Sequence, residues 1–376
     1  MLTEDQQLIR DTARAFARDR LAPGAAARDR AGTIEPDLLA ELGSLGFLGM
    51  NVDPEYDGAG ADYVSYALAL MEVAAGDGAI STVMSVHNAP FNAILARFGS
   101  PAQKEEVLRP AARGEFIGGF ALTEAQAGSD ASALRTVARR TNAGYVIDGS
   151  KEFITSGRIG KQVVVFARME GTQGKAGITA FLVPTETRGY EVARVEEKLG
   201  QRASDTCSLR FNAMEVPDAA RIGEEGEGYR IALSSLETGR IGIAAQSVGM
   251  AQAALEMAVE YANERSTFGK PLIGHQAVAF RLAEMATELE AARQMVLHAA
   301  RLKDAGVPCL KEAAMAKLFA SEAAERIVSG ALQCYGGYGY VADTGIERIY
   351  RDVRVCQIYE GTSDIQKLII ARSLAS

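Results

Sequence analysis

The residue best placed to do chemistry is Glu360, a carboxylate that follows the apolar pair Ile358-Tyr359 and precedes Gly361. Beside an apolar turn a carboxylate loses hydration, which raises its pKa towards the range of a general base. The same residue also fits a solvated glutamate at a helix start, where the macrodipole favours negative charge. Ser363 and Gln366 have the S-x-x-Q spacing of a capping box. That spacing predicts a last helix with Ile365, Leu368 and Ile369 as its buried stripe. Arg240 is the second chemical signal, because Ile241, Ile243 and Ala244 follow it. A cation on so apolar a segment needs a partner, either a ligand or Glu237 three residues earlier.

Four further stretches stand out in the sequence. Phe120-Ala-Leu-Thr-Glu-Ala-Gln-Ala-Gly-Ser-Asp130 is rich in small residues, which let backbone N–H groups approach a ring or a phosphate closely. Lys151-Glu-Phe-Ile-Thr-Ser-Gly157 places an aromatic two residues before a hydroxyl. In Glu264-Arg-Ser-Thr-Phe-Gly-Lys-Pro-Leu-Ile-Gly-His-Gln276, Arg265 offers the planar guanidinium suited to a pyrophosphate. Gln333-Cys-Tyr-Gly-Gly-Tyr-Gly-Tyr340 contains a G-x-G-x-x-A run, but it follows a helix pattern and has no βαβ unit around it, so a Rossmann reading fails. Taken singly, these read as a surface turn, a core aromatic, a solvated arginine and a glycine-rich loop.

The elements that must position these residues change character along the chain. Residues 1 to about 120 have helical spacing, with Thr3 and Gln6 as a cap, Pro23-Gly24 as a break, a helix from Tyr63 to Ala75, and a break or kink at Pro90. Between about 121 and 225 short β-rich runs take over. Tyr145-Val-Ile and Phe153-Ile-Thr flank a tight turn at Asp148-Gly149, and Val163–Ala167 and Ile178–Val183 follow at barrel or sandwich spacing. Helical segments over 229–264, 275–304 and 308–334 are long enough for a bundle.

Composition excludes several classes. A chain of 376 residues with net charge −8 lacks the clustered cations of a nucleic-acid binder. No apolar run approaches the roughly 20 residues of a membrane span, and the N-terminus shows no signal or transit pattern, so a cytoplasmic location is expected. Cys207, Cys309, Cys334 and Cys356 form no C-x-x-C pair, and His87, His275 and His298 have no ligand spacing, so neither a disulfide framework nor a metal site is expected.

The stretch Arg351-Asp352 through Gln-Ile-Tyr-Glu-Gly-Thr-Ser-x-Ile-Gln366 closely resembles the C-terminal signature of the acyl-CoA dehydrogenases, a flavoenzyme family. The other motifs match too, so the resemblance covers nearly the whole chain. It implies an N-terminal α domain (1–120), a central β-barrel or sandwich domain (121–225) and a C-terminal four-helix bundle (226–376), assembled as a homotetramer. It makes Glu360 the catalytic base and FAD the cofactor. Phe120, Leu122, Thr123, Gly128, Ser129, Phe153 and Thr155 would then contact the flavin. Arg265, Thr267, Phe268, His275, Gln276, Gln333 and Gly337 would serve the FAD of a neighbouring subunit, and Thr362 and Asp364 would also meet the cofactor. Ser129, Glu237, Gly239, Arg240 and Gly361 are the implied contacts of the CoA thioester.

Two departures stand out. Ala125 replaces a usual proline, and Phe153 replaces a tryptophan and so lacks its N–H donor. Some members supply the base from the position matching Gly239, and a glycine there leaves Glu360 as the candidate. The resemblance implies oxidation of an acyl-CoA to its trans-2-enoyl-CoA, with electrons passed to an electron-transfer flavoprotein. It is strongest to members acting on short or short branched chains. An oxygen-using acyl-CoA oxidase and a catalytically silent relative share the fold and remain as alternatives.

Overall fold

The computed structural model describes residues 2–375. α1 (Glu4–Phe16) begins at Thr3, whose hydroxyl accepts from the Gln6 N–H while the Gln6 side chain accepts from the Thr3 N–H. This is the predicted capping box. Pro23-Gly24, expected as a break, only deforms the helical path. A wide turn at Ala17–Leu21 and a tight one at Ala22–Gly24 lead straight into α2 (Ala25–Ala31). A proline at the start of a new turn sacrifices no N–H bond, and the stop falls at Gly32, which is left-handed at φ 66°. α3 (Pro36–Ser44), α4 (Tyr63–Gly76), α5 (Gly78–Val86) and α6 (Ala93–Phe98) follow, with α7 (Pro101–Gln103) and α8 (Arg109–Ala112) as short turns before the sheet. The kink expected at Pro90 is present, because Ala89 before it leaves helical geometry (φ −144°, ψ 108°).

β1 (Gly118–Ala121), β2 (Val137–Thr141), β3 (Gly144–Thr155), β4 (Gln162–Met169), β5 (Ile178–Pro184), β6 (Tyr190–Val195), β7 (Thr206–Pro217) and β8 (Arg221–Ile222) make one sheet. The order is β6-β7-β3-β2-β4-β5-β8, with β1 added parallel to β4. The unbroken apolar runs of β4 and β5 follow from burial on both faces. Val164 and Phe166 pack with Ile94, Leu95 and Ile231 from the helices. Val163 and Val165 pack with Tyr145, Ile147, Leu209, Phe211 and Met214 from the other strands. The sheet is therefore rolled around its own inner cluster, and helices cover its outer face.

Asp148-Gly149 does not make the expected tight turn. β3 runs through it, and the pairing with β7 shifts register between Ile147 and Gly149. Gly149 (φ 151°) lies so close to Thr136 that an added Cβ would be 2.7 Å from its Cα, so the glycine serves a close strand approach instead. A second irregularity lies between Lys151 and Ile154. It puts Phe153 at φ 60° with its ring turned outward, 65% exposed.

β3 is also tied to the loop after β1. Lys151, fully buried, donates from Nζ to the Leu122 carbonyl at 3.0 Å and to the Glu124 carboxylate at 2.8 Å. Glu124 further accepts the backbone N–H groups of Arg135 and Thr136. Burial alone would raise its pKa, but Lys151 and these bonds hold it down to about 2.

The bundle consists of α9 (Gly228–Glu264), α10 (Gln276–Asp304), α11 (Leu310–Tyr335) and α13 (Ser363–Leu374), with α12 (Ile346–Val353) leading into the last helix. A small hairpin, β9 (Ser266–Thr267) with β10 (Lys270–Pro271), joins α9 to α10. Alanines at 251, 254, 258, 316, 320, 323 and 324 line the seam and let the helices approach closely. α13 departs from expectation. Its predicted stripe is not buried: Ile365 and Ile369 are half-buried, Leu368 is exposed, and Gln366 is its buried side chain. Among the described residues no helix is long and apolar enough to cross a membrane, and all four cysteines are buried and unpaired.

Removing one partner of a buried ion pair typically costs about 3–5 kcal/mol, because the other is left charged and unpaired. Lys151→Met is expected to cost that much in urea unfolding, and Glu124→Gln added to it to recover much of the loss. The pH dependence has a definite sign. Glu124 ionises lower when folded than its ordinary 4.5, so its contribution is complete above about pH 4.5 and is lost as pH falls towards 2.

Candidate active site

Glu360 lies on the turn between α12 and α13 with φ 54°, and Gly361 after it has φ 88°. A left-handed residue with a Cβ persists only where its surroundings over-determine it. Gln366 supplies part of that hold, donating from Nε2 to the carbonyls of Glu360 (3.3 Å) and Gly361 (2.8 Å). Lys317 Nζ supplies the rest, donating to the Gly361 carbonyl at 2.7 Å. The cap of α13 is Thr362, whose hydroxyl accepts from the Ile365 N–H. The sequence put the cap at Ser363, one residue late, and Gln366 is used on the turn carbonyls instead of in a capping box.

The Glu360 carboxylate points into the protein. Its Oε1 is buried with no hydrogen-bond partner among the described residues. The facing element is α9 at Gly239, where an added Cβ would lie 1.8 Å from Oε1, so no side chain fits there while the carboxylate does. Arg240, 5% exposed, stands next to it with Nε unpartnered. Burial raises the Glu360 pKa and the Arg240 and Lys317 charges pull it down, leaving it at about 7. Glu237 is not the partner of Arg240. It binds Lys303 Nζ at 2.8 Å and lies near Cys309. Beneath the turn the Tyr359 hydroxyl meets Gln246 and Gln201, and Gln201 and Gln246 both reach Thr82.

A second group assembles where β1, β3 and the 121–130 loop meet. Leu122 is buried, Phe120, Thr123 and Thr155 are half-buried, and Phe153 is exposed. The Glu152 N–H donates to the Thr123 carbonyl at 2.9 Å, and Lys151 holds the Leu122 carbonyl, so loop and strand form one surface. Gly128 and Ser129 are at the open tip of the loop, with nothing near Gly128.

A third group lines a cleft of about 760 Å³ between the start of β9 and the end of α11: Arg265, Thr267, Gln333 and Gly337. His275 donates from Nε2 to the Thr267 carbonyl at 3.1 Å, and Gln276 opens α10. Phe268, at φ 48°, is 97% exposed. No residue of the Glu360 turn or of the loop–strand surface lines this cleft. Asp364 is solvent-facing on α13.

These surfaces fit a dinucleotide that carries a flat ring system. Outward aromatic faces at Phe153 and Phe268 suit stacking, the space over Gly128 and Gly337 suits close backbone approach, and Arg265 suits a pyrophosphate. Lys317, Gln201, Gln246, Thr82 and Tyr359 are parts of the site that reading the sequence for function missed. Lys317 left a usable signal: it falls on the buried stripe Ala313, Ala316, Ala320 of α11, where a cation needs a reason.

Three family models match the chain: the acyl-CoA dehydrogenase N-terminal domain over residues 3–115, the middle domain over 119–214 and the C-terminal domain over 226–375. The short-chain specific acyl-CoA dehydrogenase of Bos taurus mitochondria is 45% identical over 373 residues, covering 99% of this chain and 90% of that one. The butyryl-CoA dehydrogenase of Megasphaera elsdenii superposes with a TM-score of 0.98 at 40% identity, over 100% of this chain and 99% of its own. The glutaryl-CoA dehydrogenase of Mycobacterium smegmatis, in complex with FADH2, superposes with a TM-score of 0.94 at 33% identity, over 99% and 95%. With the helix–sheet–helix order and the buried carboxylate opposite Gly239, these matches show that the chain belongs to the acyl-CoA dehydrogenase family.

Proposed function

We propose that the protein is a cytoplasmic enzyme that oxidises short-chain acyl-CoA thioesters to trans-2-enoyl-CoA, with Glu360 as its base. The observation that carries this reading is the unpartnered, buried Oε1 of Glu360, poised near neutrality opposite a glycine. The thioester makes the α-carbon acidic, and Glu360 takes that proton. FAD, the cofactor of this family, supplies the acceptor for the hydride leaving the β-carbon, so two hydrogens depart and the C=C bond forms. Gly239 leaves room for the α-carbon beside the carboxylate, and the Glu360 N–H is a donor for the thioester carbonyl as negative charge grows on it. Arg240 stabilises the charged form of the base between turnovers. Ser129, Glu237 and Gly361 stand along the CoA arm.

In this reading Phe120, Leu122, Thr123, Gly128, Ser129, Phe153 and Thr155 of the loop–strand surface would hold the flavin, together with Thr362 and Asp364. The third group lines a separate cleft, which supports a homotetramer in which Arg265, Thr267, Phe268, His275, Gln276, Gln333 and Gly337 of one subunit complete the FAD site of another. The bare faces of Phe268, Phe280, Tyr340 and Leu368 support that assembly. The three units, 1–120, 121–225 and 226–376, then divide the work into covering helices, flavin platform and base-bearing bundle. The two electrons taken from the substrate would pass on to an electron-transfer flavoprotein. The relatives' names support short acyl groups.

Glu360→Gln keeps the shape and removes the proton acceptor. Stopped-flow flavin reduction is expected to fall by about 10²–10⁴-fold, while FAD content and enoyl-CoA binding survive. Reduction at the wild-type rate would remove Glu360 from the mechanism. In the wild type the reduction rate is expected to rise with pH through about 7, since the charged form is the base. Stability moves the opposite way. The folded carboxyl holds its proton up to about pH 7 and the unfolded one only to 4.5, so Glu360 weakens folding as pH rises through that window.

Arg265→Ala is expected to lower FAD retention on gel filtration with little loss of secondary structure. A fully active monomer by light scattering would overturn the shared FAD site. A chain-length series with a dye acceptor should peak at short acyl groups, and a maximum at long chains would overturn the substrate reading.

A further inference from the structure

Lys317 is fully buried on α11, and among the described residues no carboxylate comes within 4 Å of its ammonium. Its hydrogen bond goes to a backbone carbonyl, that of Gly361, at 2.7 Å. A lysine brought inside without an ion pair costs much desolvation, so the bond it makes must matter to the arrangement it serves. That arrangement is the turn in which Glu360 (φ 54°) and Gly361 (φ 88°) are both left-handed.

Three contacts fix where the Glu360 carboxyl points. Gln366 holds the carbonyls of Glu360 and Gly361 from the α13 side. Lys317 holds the Gly361 carbonyl from the α11 side. Gly239 leaves the space into which Oε1 projects. Loss of the α11 contact frees the turn to relax towards ordinary backbone angles, which swings the carboxyl off Gly239.

We infer that Lys317 is a positioning residue for the catalytic base: its ammonium clamps the turn that carries Glu360 and supplies one of the two buried positive charges facing the carboxylate. The inference rests on the reading of Glu360 as the base.

The charged and titratable groups around this pair are few. Glu360 is faced by Arg240 from α9, Lys317 from α11 and Tyr66 from α4, with Tyr359 next to it in the chain. Lys317 is faced by Glu360, Arg240 and Cys356, with Glu322 on its own helix. Burial draws the Lys317 pKa down to about 8, above that of Glu360, so near neutrality the charged base sits between two cations. Removing one of them leaves burial less opposed, and the base must then ionise at higher pH.

The test uses the FAD-loaded enzyme and a short acyl-CoA in stopped flow across pH. Lys317→Met is expected to keep FAD and to bind a short trans-2-enoyl-CoA. It should slow limiting flavin reduction about 10²-fold, as a displaced reacting group does, and move the midpoint of the pH–rate profile up by about one pH unit. Lys317→Arg, which keeps charge and donor, should return the midpoint towards wild type. If the methionine variant does not hold FAD, Lys317→Gln, smaller and uncharged, carries the same test of the midpoint. A variant that loses only thermal stability, with rate and midpoint unchanged, overturns the inference. Glu360→Gln run in parallel separates the two readings. If it reduces at the wild-type rate, the base assignment has failed; if it is inactive while Lys317→Met or Lys317→Gln matches wild type, the positioning role alone has failed.

Discussion

The desolvated carboxylate of Glu360 is the constraint around which the rest is arranged. A carboxyl taken out of water is costly unless paired, yet a base that is fully paired cannot accept a proton. The structure resolves the conflict by distance and number. Two cations, Arg240 and Lys317, act on Glu360 through space, and its buried Oε1 accepts no hydrogen bond among the described residues. The result is a group held near 7, between the ordinary carboxylate and the neutral acid that burial alone would favour.

Three layers support that balance. α9 brings Gly239 and Arg240, α11 brings Lys317, and α13 brings Gln366. Below the turn, Tyr359 joins Gln201, Gln246 and Thr82, and Gln201 also contacts Asp352 on α12. Gln201 comes from the segment between β6 and β7, so the network ties the sheet, which carries the loop–strand surface, to the bundle, which carries Glu360. Relative placement of the loop–strand surface and the carboxylate therefore depends on polar side chains as well as on the apolar packing of the bundle.

The helix–sheet–helix order was legible because periodicity changes twice along the chain, and Glu360 and Arg240 stood out as ionisable residues in apolar surroundings. Local signals failed where a distant partner outweighed them. Asp148-Gly149 has the composition of a hairpin turn, yet long pairing between β3 and β7 and the approach of Thr136 hold it in the sheet. Thr362 and Ser363 both carry hydroxyls able to cap, and the left-handed Glu360-Gly361 pair, invisible in sequence, decided between them. Phe153 read as a possible core aromatic because the bulge that turns it outward depends on pairing. The apolar residues of α13 read as a buried stripe because helical spacing does not say which face the helix turns inward, and here that face presents Gln366 to the turn carbonyls.

Gly239 also bears on how such a site can change over time. The 1.8 Å separation means that a side chain placed at 239 must displace the end of the Glu360 side chain from its present position. A first substitution at 239 would set a second acidic group against the existing one; a first substitution at 360 would leave none. Positions 239 and 360 are therefore coupled, and a change at either one is felt at the other.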